Sequence, residues 1–205
     1  MIKIPNQPIM ARFGETVWLT DFITPNNPDI KLLVNKYIAS TQEETMWNLW
    51  QYVANMPYNE VVASTLYAAG LKIAQSDTWF YPGETVQLGV GNCANKTFLL
   101  VSLLKNLGVD VHGVMGTWDD NNHAWIQVER EDTFYYIETT SPKTEMFMTL
   151  DKEGYDPFIY FDNQEVFATE DSKDFTKIFK GKFIQPGVVD WFNDYLSTRA
   201  LDLVQ

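Results

Sequence analysis

One cysteine, one histidine and one glutamate stand out in this sequence as side chains that could act together in catalysis: Cys93, His123 and Glu138. A thiol can attack a carbonyl carbon, an imidazole can take up and return a proton, and a carboxylate can orient the imidazole. Cys93 is the single cysteine of the chain, so the sequence offers one candidate thiol nucleophile. Together the three residue types predict nucleophilic acyl transfer through a thioester on Cys93.

Cys93 follows a glycine-rich turn, Gly-Val-Gly-Asn at residues 89–92, and opens a strongly apolar stretch. Asn92 is a favourable residue to cap a helix N-terminus and Gly108 a favourable residue just past its C-terminus, so we predict a helix over 93–107. Apolar residues cover most of its circumference, which predicts burial. The free backbone N–H groups and the dipole of the helix favour the thiolate. A lone cysteine is also often an inert buried side chain.

His123 and Glu138 lie on two predicted strands beyond this helix. The alternation of apolar and polar residues predicts three strands of an antiparallel sheet packed against the helix, at 109–115, 123–129 and 134–140. A polar loop is expected at 116–122. The hairpin between the second and third strands is expected to pair Val128 with Thr133. In that register His123 lies directly opposite Glu138 on the same face of the sheet.

Two other interpretations of these side chains stay open. His123 and Glu138 could be only a hydrogen-bonded structural pair. His112, on the first predicted strand, is the competing base, although no acid lies opposite it in any obvious register. One cysteine and two histidines without close ligand spacing do not suit zinc, so we predict neither a metal nor a cofactor.

The same stretches resemble the core of the transglutaminase-like superfamily, in particular its bacterial cysteine-proteinase branch. The resemblance covers about residues 43–140. The motifs that carry it are Trp79-Phe80-Tyr81-Pro82-Gly83-Glu84, Gly91-Asn92-Cys93, a helix that closes on Leu107-Gly108, His123-Ala124-Trp125 and Ile137-Glu138-Thr139. It implies a papain-like α+β fold in which Cys93 is the nucleophile, His123 the general base and Glu138 the orienting acid.

The resemblance also bears on the oxyanion site and on calcium. It implies that Trp79 offers its indole N–H to an oxyanion, beside the backbone N–H of Cys93; the alternative is that Trp79 only packs on the helix. The family's acid is usually Asp, so at Glu138 the sheet or the imidazole must shift to keep a hydrogen bond of about 2.8 Å. Asn92 and Asn95 stand where the proteinase branch carries acidic residues associated with calcium, so we predict no calcium requirement.

We therefore expect an α+β fold with a transglutaminase-like, papain-like core, whose central helix carries Cys93 at its N-terminus and packs on an antiparallel sheet. A single domain is predicted over 1–205. Its parts are an N-terminal arm and helix at 1–40, a catalytic core at 43–140 and a C-terminal extension at 141–205 that completes the fold. Further helices are predicted at 29–39, 43–55 and 188–203, and further strands at 158–161 and 166–168. The segment 58–74 is ambiguous.

The composition limits which binding partners and which cellular compartment we expect for the protein. The chain has 27 acidic and 15 basic residues among its 205, a formal net charge of −12, so nucleic acid and anionic membranes would be repelled. The longest apolar run, at 98–104, is far shorter than the roughly 20 residues that cross a bilayer. A single cysteine and an N-terminus without an apolar signal stretch predict a cytoplasmic protein.

The leading functional hypothesis is a cysteine-dependent hydrolase, a peptidase, isopeptidase or deamidase, that acts on protein or peptide amide bonds. Transfer of the acyl group to an amine is the variant of the same chemistry; hydrolysis is preferred because the accessory domains of large animal crosslinking enzymes are missing. The alternative is a catalytically silent binding module that keeps the fold for protein recognition. Its candidate aromatic contact residues are Trp118, Trp125 and Tyr136.

Overall fold

The structure is a computed structural model that describes residues 1–4, 6, 8–12, 15–58 and 79–169. Within these residues the α-helices are α1 (Pro28–Tyr37), α2 (Gln42–Ala54), α3 (Pro82–Leu88) and α4 (Cys93–Asn106). The strands are β1 (Ile2–Ile4), β2 (Pro8–Arg12), β3 (Glu15–Trp18), β4 (Val111–Trp118), β5 (Asn121–Arg130), β6 (Thr133–Ile137), β7 (Met148–Thr149), β8 (Tyr155–Phe161) and β9 (Val166–Ala168). This α+β content confirms the predicted fold class.

The helix starts follow from local capping chemistry. Asn27 accepts a hydrogen bond from the backbone N–H of Asp29 at 2.8 Å and so caps α1. Thr41 and Glu44 form a reciprocal capping box at the start of α2, with hydrogen bonds of 3.1 and 3.3 Å. The helices predicted at 29–39, 43–55 and 93–107 are therefore confirmed, with ends that differ by one or two residues.

The central helix α4 is buried over its middle. Every residue from 94 to 104 is buried, so α4 has no solvent-facing stripe along that stretch. Helices α1, α2 and α3 contact it, and so do strands β4 and β5. One large apolar core joins these helices to the sheet, and it includes Phe98, Ile126 and Phe161. The burial predicted from the apolar sequence is confirmed.

The main sheet is antiparallel and has seven strands in the order β1-β9-β8-β4-β5-β6-β7. The strands predicted at 109–115, 123–129 and 134–140 correspond to its central members β4, β5 and β6. The strands predicted at 158–161 and 166–168 are contained in β8 and β9, which extend the same sheet. The described part of the segment 141–205 thus completes the sheet that carries His123.

Two tight hairpins replace looser connections that the sequence suggested. Asp119 and Asp120 both have positive φ angles, of 47° and 63°, and turn β4 directly into β5, so the polar loop expected at 116–122 is mostly strand. Glu131 and Asp132, with φ angles of 50° and 59°, do the same between β5 and β6. Two-residue turns with both residues left-handed match the natural twist of paired strands.

The predicted β5–β6 register was wrong by two residues. Val128 pairs with Tyr135, and Arg130 pairs with Thr133, because the turn contains two residues instead of four. A shift by two keeps every side chain on its expected face, whereas a shift by one would have inverted the faces. His123 and Glu138 consequently share a face but are diagonal neighbours, not direct partners.

The ends of the chain are only partly described. At the N-terminus β1 pairs with β9 at the edge of the sheet, and β2 and β3 form a separate hairpin. The closing helix predicted at 188–203 lies outside the described residues, as does most of the ambiguous segment 58–74. No helix in the described ranges has the length and apolar character to span a bilayer.

Candidate active site

Cys93 is the first residue of α4 and is partly exposed to solvent. The side-chain oxygen of Asn92 accepts a hydrogen bond from the backbone N–H of Asn95 at 3.0 Å, which caps the helix. The side-chain oxygen of Asn95 accepts one from the backbone N–H of Phe80 at 2.8 Å. These bonds brace the glycine-rich turn against the segment that precedes α3. The thiol is thereby fixed at the positive end of the helix dipole.

His123 and Glu138 form a direct hydrogen bond despite their diagonal placement. Nε2 of His123 lies 2.8 Å from Oε2 of Glu138, and the side chains are only 10% and 4% exposed. Diagonal neighbours in a sheet are about 7–8 Å apart and are reached by long side chains. The extra methylene of Glu138, relative to the Asp that the family resemblance leads one to expect, supplies that reach.

Cys93 completes the set through the same imidazole. Hydrogen bonding and charge from Cys93 raise the pKa of His123, so the thiol lies beside the imidazole. Because Glu138 occupies Nε2, Nδ1 is the ring nitrogen left for the thiol. Strand β6 pairs with β5 only from Ile126 onward, so His123 lies beyond the paired part of these two strands. The structure thus brings all three predicted residues into one cluster.

Residues from three parts of the chain anchor Glu138. Thr140 donates two hydrogen bonds to Oε1, from its backbone N–H at 2.7 Å and from its hydroxyl at 2.6 Å. The hydroxyl of Tyr155 donates to Oε2 at 2.8 Å. Trp50, from α2, donates its indole N–H to the backbone carbonyl of Glu138 at 2.7 Å. The carboxylate and its backbone are therefore both held in place.

Charge and hydrogen bonding set the protonation states of the pair. Burial lowers the pKa of His123, but hydrogen bonds to Cys93 and Glu138, and their charges, outweigh it and raise this pKa from 6.5 to about 9. Burial raises the pKa of Glu138, but the hydrogen bond and charge of His123, with the two bonds from Thr140, lower it from 4.5 to about 2. At neutral pH the site therefore holds an imidazolium beside a carboxylate.

Aromatic rings surround the imidazole of His123. Trp125 stacks on His123 with centroids 6.0 Å apart and an interplanar angle of 22°. Trp118 lies 5.7 Å from the His123 ring and is 45% exposed. Trp125 and Tyr136 are fully buried, so of the three candidate surface aromatics only Trp118 is exposed. Excluding water strengthens the electrostatic interactions among the site residues.

Trp79 is buried beside α4. Its ring contacts Phe22 edge-on at 5.6 Å and Phe98 edge-on at 5.3 Å. The packing role weighed for Trp79 is therefore present in the structure. Its oxyanion role stays a prediction.

His112 takes no part in this cluster. It faces Gln127 of β5, four residues further along the strand than His123, and its ring meets Phe167 edge-on at 6.1 Å. Burial and the charge of Lys105 lower its pKa. Among the described residues no group of three or more His, Cys, Asp or Glu side chains is placed to hold a metal ion. The expectation that no calcium is required stays a prediction.

Sequence reasoning missed two of the groups that hold Glu138. Thr140 lies in the strand predicted at 134–140 but was given no role. Tyr155 belongs to β8, which is next to β4 and not to the strand that leads to Glu138. No local pattern links Tyr155 to the site, because the contact depends on how the sheet is ordered.

Replacing Tyr155 with phenylalanine tests the importance of that hydroxyl. Burial and the charge of Glu138 raise the pKa of Tyr155, so its hydroxyl stays protonated and donates. A hydrogen bond to a charged group contributes about 1.5–3 kcal/mol, so we expect the free energy of unfolding to fall by that amount. Urea unfolding measures it. The control is Tyr160→Phe, whose hydroxyl lies 3.5 Å from that of Tyr136 and does not touch Glu138. Equal losses in both variants would contradict a specific role.

Comparison with known proteins supplies a family match. The sequence profile described as a transglutaminase-like domain matches residues 29–154. This range includes Cys93, His123 and Glu138, and it ends one residue before Tyr155. No protein of curated function matches the sequence.

Solved structures give weaker similarities. A structure titled "Crystal structure of a TGase" is 18% identical, with a TM-score of 0.41, over 62% of this chain and 34% of that one. Calcium-bound LapG of Legionella pneumophila is 15% identical, with a TM-score of 0.42, over 72% and 88% of the two chains. Another LapG structure is 12% identical, with a TM-score of 0.42, over 86% and 98%. The chain spans about a third of the TGase structure.

Proposed function

Because this chain belongs to the transglutaminase-like domain family, a family of cysteine-dependent enzymes, we propose that it is an acyl-transfer enzyme that forms a thioester on Cys93. Its substrates are protein or peptide amides, and its main reaction is hydrolysis. The observation that carries the proposal is the position of His123, whose Nε2 lies 2.8 Å from Oε2 of Glu138 and whose pKa is raised by both Glu138 and the neighbouring Cys93. A purely structural His–Glu pair needs no thiol at its other nitrogen.

The first half-reaction forms the thioester. The Cys93 thiolate attacks the amide carbonyl carbon, and a bond forms between Sγ and that carbon while the carbonyl oxygen becomes an oxyanion. The backbone N–H of Cys93, at the first position of α4, has no acceptor within the helix and is a donor for that oxyanion. Trp79 is the proposed second donor. His123 gives its proton to the leaving nitrogen as the carbon–nitrogen bond breaks.

The second half-reaction releases the acyl group. His123, now neutral, takes a proton from water, and the resulting hydroxide attacks the thioester carbonyl. The bond between Sγ and carbon breaks, the acid leaves, and the thiolate and imidazolium are restored. An amine in the place of water would give a new amide through the same steps. Glu138 stays ionised throughout and holds the imidazole in position.

The test is direct observation of the acyl-enzyme. We expect p-nitrophenyl acetate to give a burst of p-nitrophenolate and an acetyl group on Cys93, located by mass spectrometry of peptides, followed by release of acetate. The variant Cys93→Ala is the control and should give neither. A peptide aldehyde should also be trapped by the same thiol.

The opposite result would favour the silent binding module. A wild-type protein that shows no burst, forms no aldehyde adduct and reacts with thiol reagents like a free cysteine would contradict the enzyme proposal. The exposed Trp118 would then be the first residue to test for partner binding.

A further inference from the structure

Lys96 is a buried cation that the mechanism above does not use. It is 1% exposed, and no other lysine or arginine whose side chain the structure describes is buried. It follows Cys93 by three positions on α4, so the two side chains leave the helix on neighbouring turns of one face. Charged lysines are almost never buried without a partner. The surroundings of Lys96 therefore need to account for its charge.

One partner of Lys96 is the end of α2. Its Nζ donates a hydrogen bond to the backbone carbonyl of Ala54, the last residue of that helix, at 3.3 Å. A helix C-terminus carries partial negative charge and favours a cation. Trp50 of the same helix holds the backbone carbonyl of Glu138. Helix α2 therefore connects Lys96 and Glu138 by two hydrogen bonds.

The second partner is the charge of Glu138. Burial lowers the pKa of Lys96 from 10.5 to about 8, while the charge of Glu138 acts in the opposite direction. A group with that pKa is still about nine-tenths protonated at pH 7. No described carboxylate forms a direct salt bridge with Lys96, so Glu138 acts on Lys96 through its charge and not through direct contact.

The charges of the reacting state are unbalanced without Lys96. A Cys93 thiolate, a His123 imidazolium and a Glu138 carboxylate sum to one negative charge in a buried site. An uncompensated buried charge is costly, and a nearby opposite charge reduces that cost. The titratable groups whose pKa is raised by the charge of Glu138 are His123 from β5, Tyr155 from β8 and Lys96 from α4. Tyr155 stays neutral because burial and Glu138 raise its pKa, and Asp119 acts on it in the same direction.

We propose that Lys96 is a positioning residue that supplies the buried positive charge for Glu138 and fixes α2 against the catalytic helix. The inference rests on the proposed function, since it assigns Lys96 a part in the same reaction. Lys96 acts through Glu138 and does not touch the substrate. Without the positive charge of Lys96, the charged form of Glu138 is less favoured. Glu138 then supports the His123 imidazolium less, and the imidazolium supports the Cys93 thiolate less.

The first test measures alkylation of Cys93 by iodoacetamide at pH 6.5. We expect Lys96→Met to slow it several-fold, because the thiolate loses a nearby positive charge, and Lys96→Arg to keep most of the rate. The same substitution in a Glu138→Gln background should change the rate by less than two-fold, because the group through which Lys96 acts is gone. The matched control is Lys105→Met on the same helix, which loses a 2.8 Å ion pair with Asp162 far from the thiol. It should destabilise the protein without changing the alkylation rate.

A second test leaves Lys96 intact and covers the case in which Lys96→Met does not fold. In lysine-labelled wild-type protein, NMR should show one side chain titrating near pH 8, and Glu138→Gln should lower that midpoint, because the carboxylate charge raises it. An unchanged midpoint, or equal effects of Lys96→Met with and without Glu138, would overturn the inference. Absence of an acyl-enzyme in the wild type would instead reject the proposed function, and the NMR coupling would still be readable.

Discussion

Replacing His123 with alanine is expected to slow the alkylation of Cys93 by iodoacetamide at least about ten-fold at pH 7, because the variant lacks the imidazolium that stabilises a thiolate. In the wild type the pKa of His123 is raised to about 9, so the imidazolium is present at pH values below that. The difference in rate between the two proteins should therefore be large below pH 9 and should narrow as the pH rises through about 9 and the imidazolium loses its proton.

The second histidine of the chain is the matched control for this experiment. His112→Ala removes an imidazole from the same sheet, but one whose charged neighbours are Lys105, Asp162, Asp110 and Glu165. Its alkylation profile should follow that of the wild type. If His112→Ala lowered the rate as His123→Ala does, or if His123→Ala left the rate unchanged below pH 9, the thiolate–imidazolium pair would be ruled out.

The fold elements that the sequence predicted well are those set by local interactions. Helix α4 begins at Cys93 because Asn92 caps it, and it is buried because apolar residues surround it. Both signals lie within the helix and its flanks. The capping box at Thr41 and the alternation in β4 and β5 are local in the same sense. Their prediction did not require knowledge of what packs against them.

The register of the β5–β6 hairpin could not be read from the same pattern. Alternation fixes which face a side chain occupies, and it is unchanged by a slip of two residues. The choice between a two-residue and a four-residue turn depends on whether Glu131 and Asp132 adopt left-handed backbone conformations, which they do. Alternation therefore predicted that His123 and Glu138 share a face but not that they are diagonal.

The surroundings of Glu138 depend on contacts that are distant in sequence. Trp50 reaches it from α2 and Tyr155 from β8, and each contact exists only once the helix and sheet have packed. Their residue types gave no signal, since a buried Trp or Tyr is ordinary core material. The three reacting groups could be predicted because their chemistry is distinctive. The groups that hold them could not.

The diagonal geometry makes the identity of the acid testable by two substitutions. Glu138→Gln removes the charge that supports the imidazolium and is expected to lower turnover of p-nitrophenyl acetate about 10³-fold. Glu138→Asp keeps the charge but shortens the side chain that spans the diagonal. We expect the 2.8 Å hydrogen bond to His123 to become much weaker and most of the activity to be lost. Full activity of the aspartate variant would contradict the reach argument, even though Asp is the family's usual acid.

Stability measurements distinguish a loss of catalysis in the Glu138 variants from a loss of folded structure. The pKa of Glu138 is lowered to about 2, so its contribution to stability is complete above its unfolded value near 4.5 and is lost as the pH falls through about 2. Glu138→Gln should therefore lower the melting temperature clearly at pH 7 and much less at pH 2. Asp162→Asn is the control, a carboxylate paired with Lys105 at 2.8 Å away from the thiol. It should lower the melting temperature and leave turnover intact, and a matching loss of turnover would assign the effect of Glu138 to folding alone.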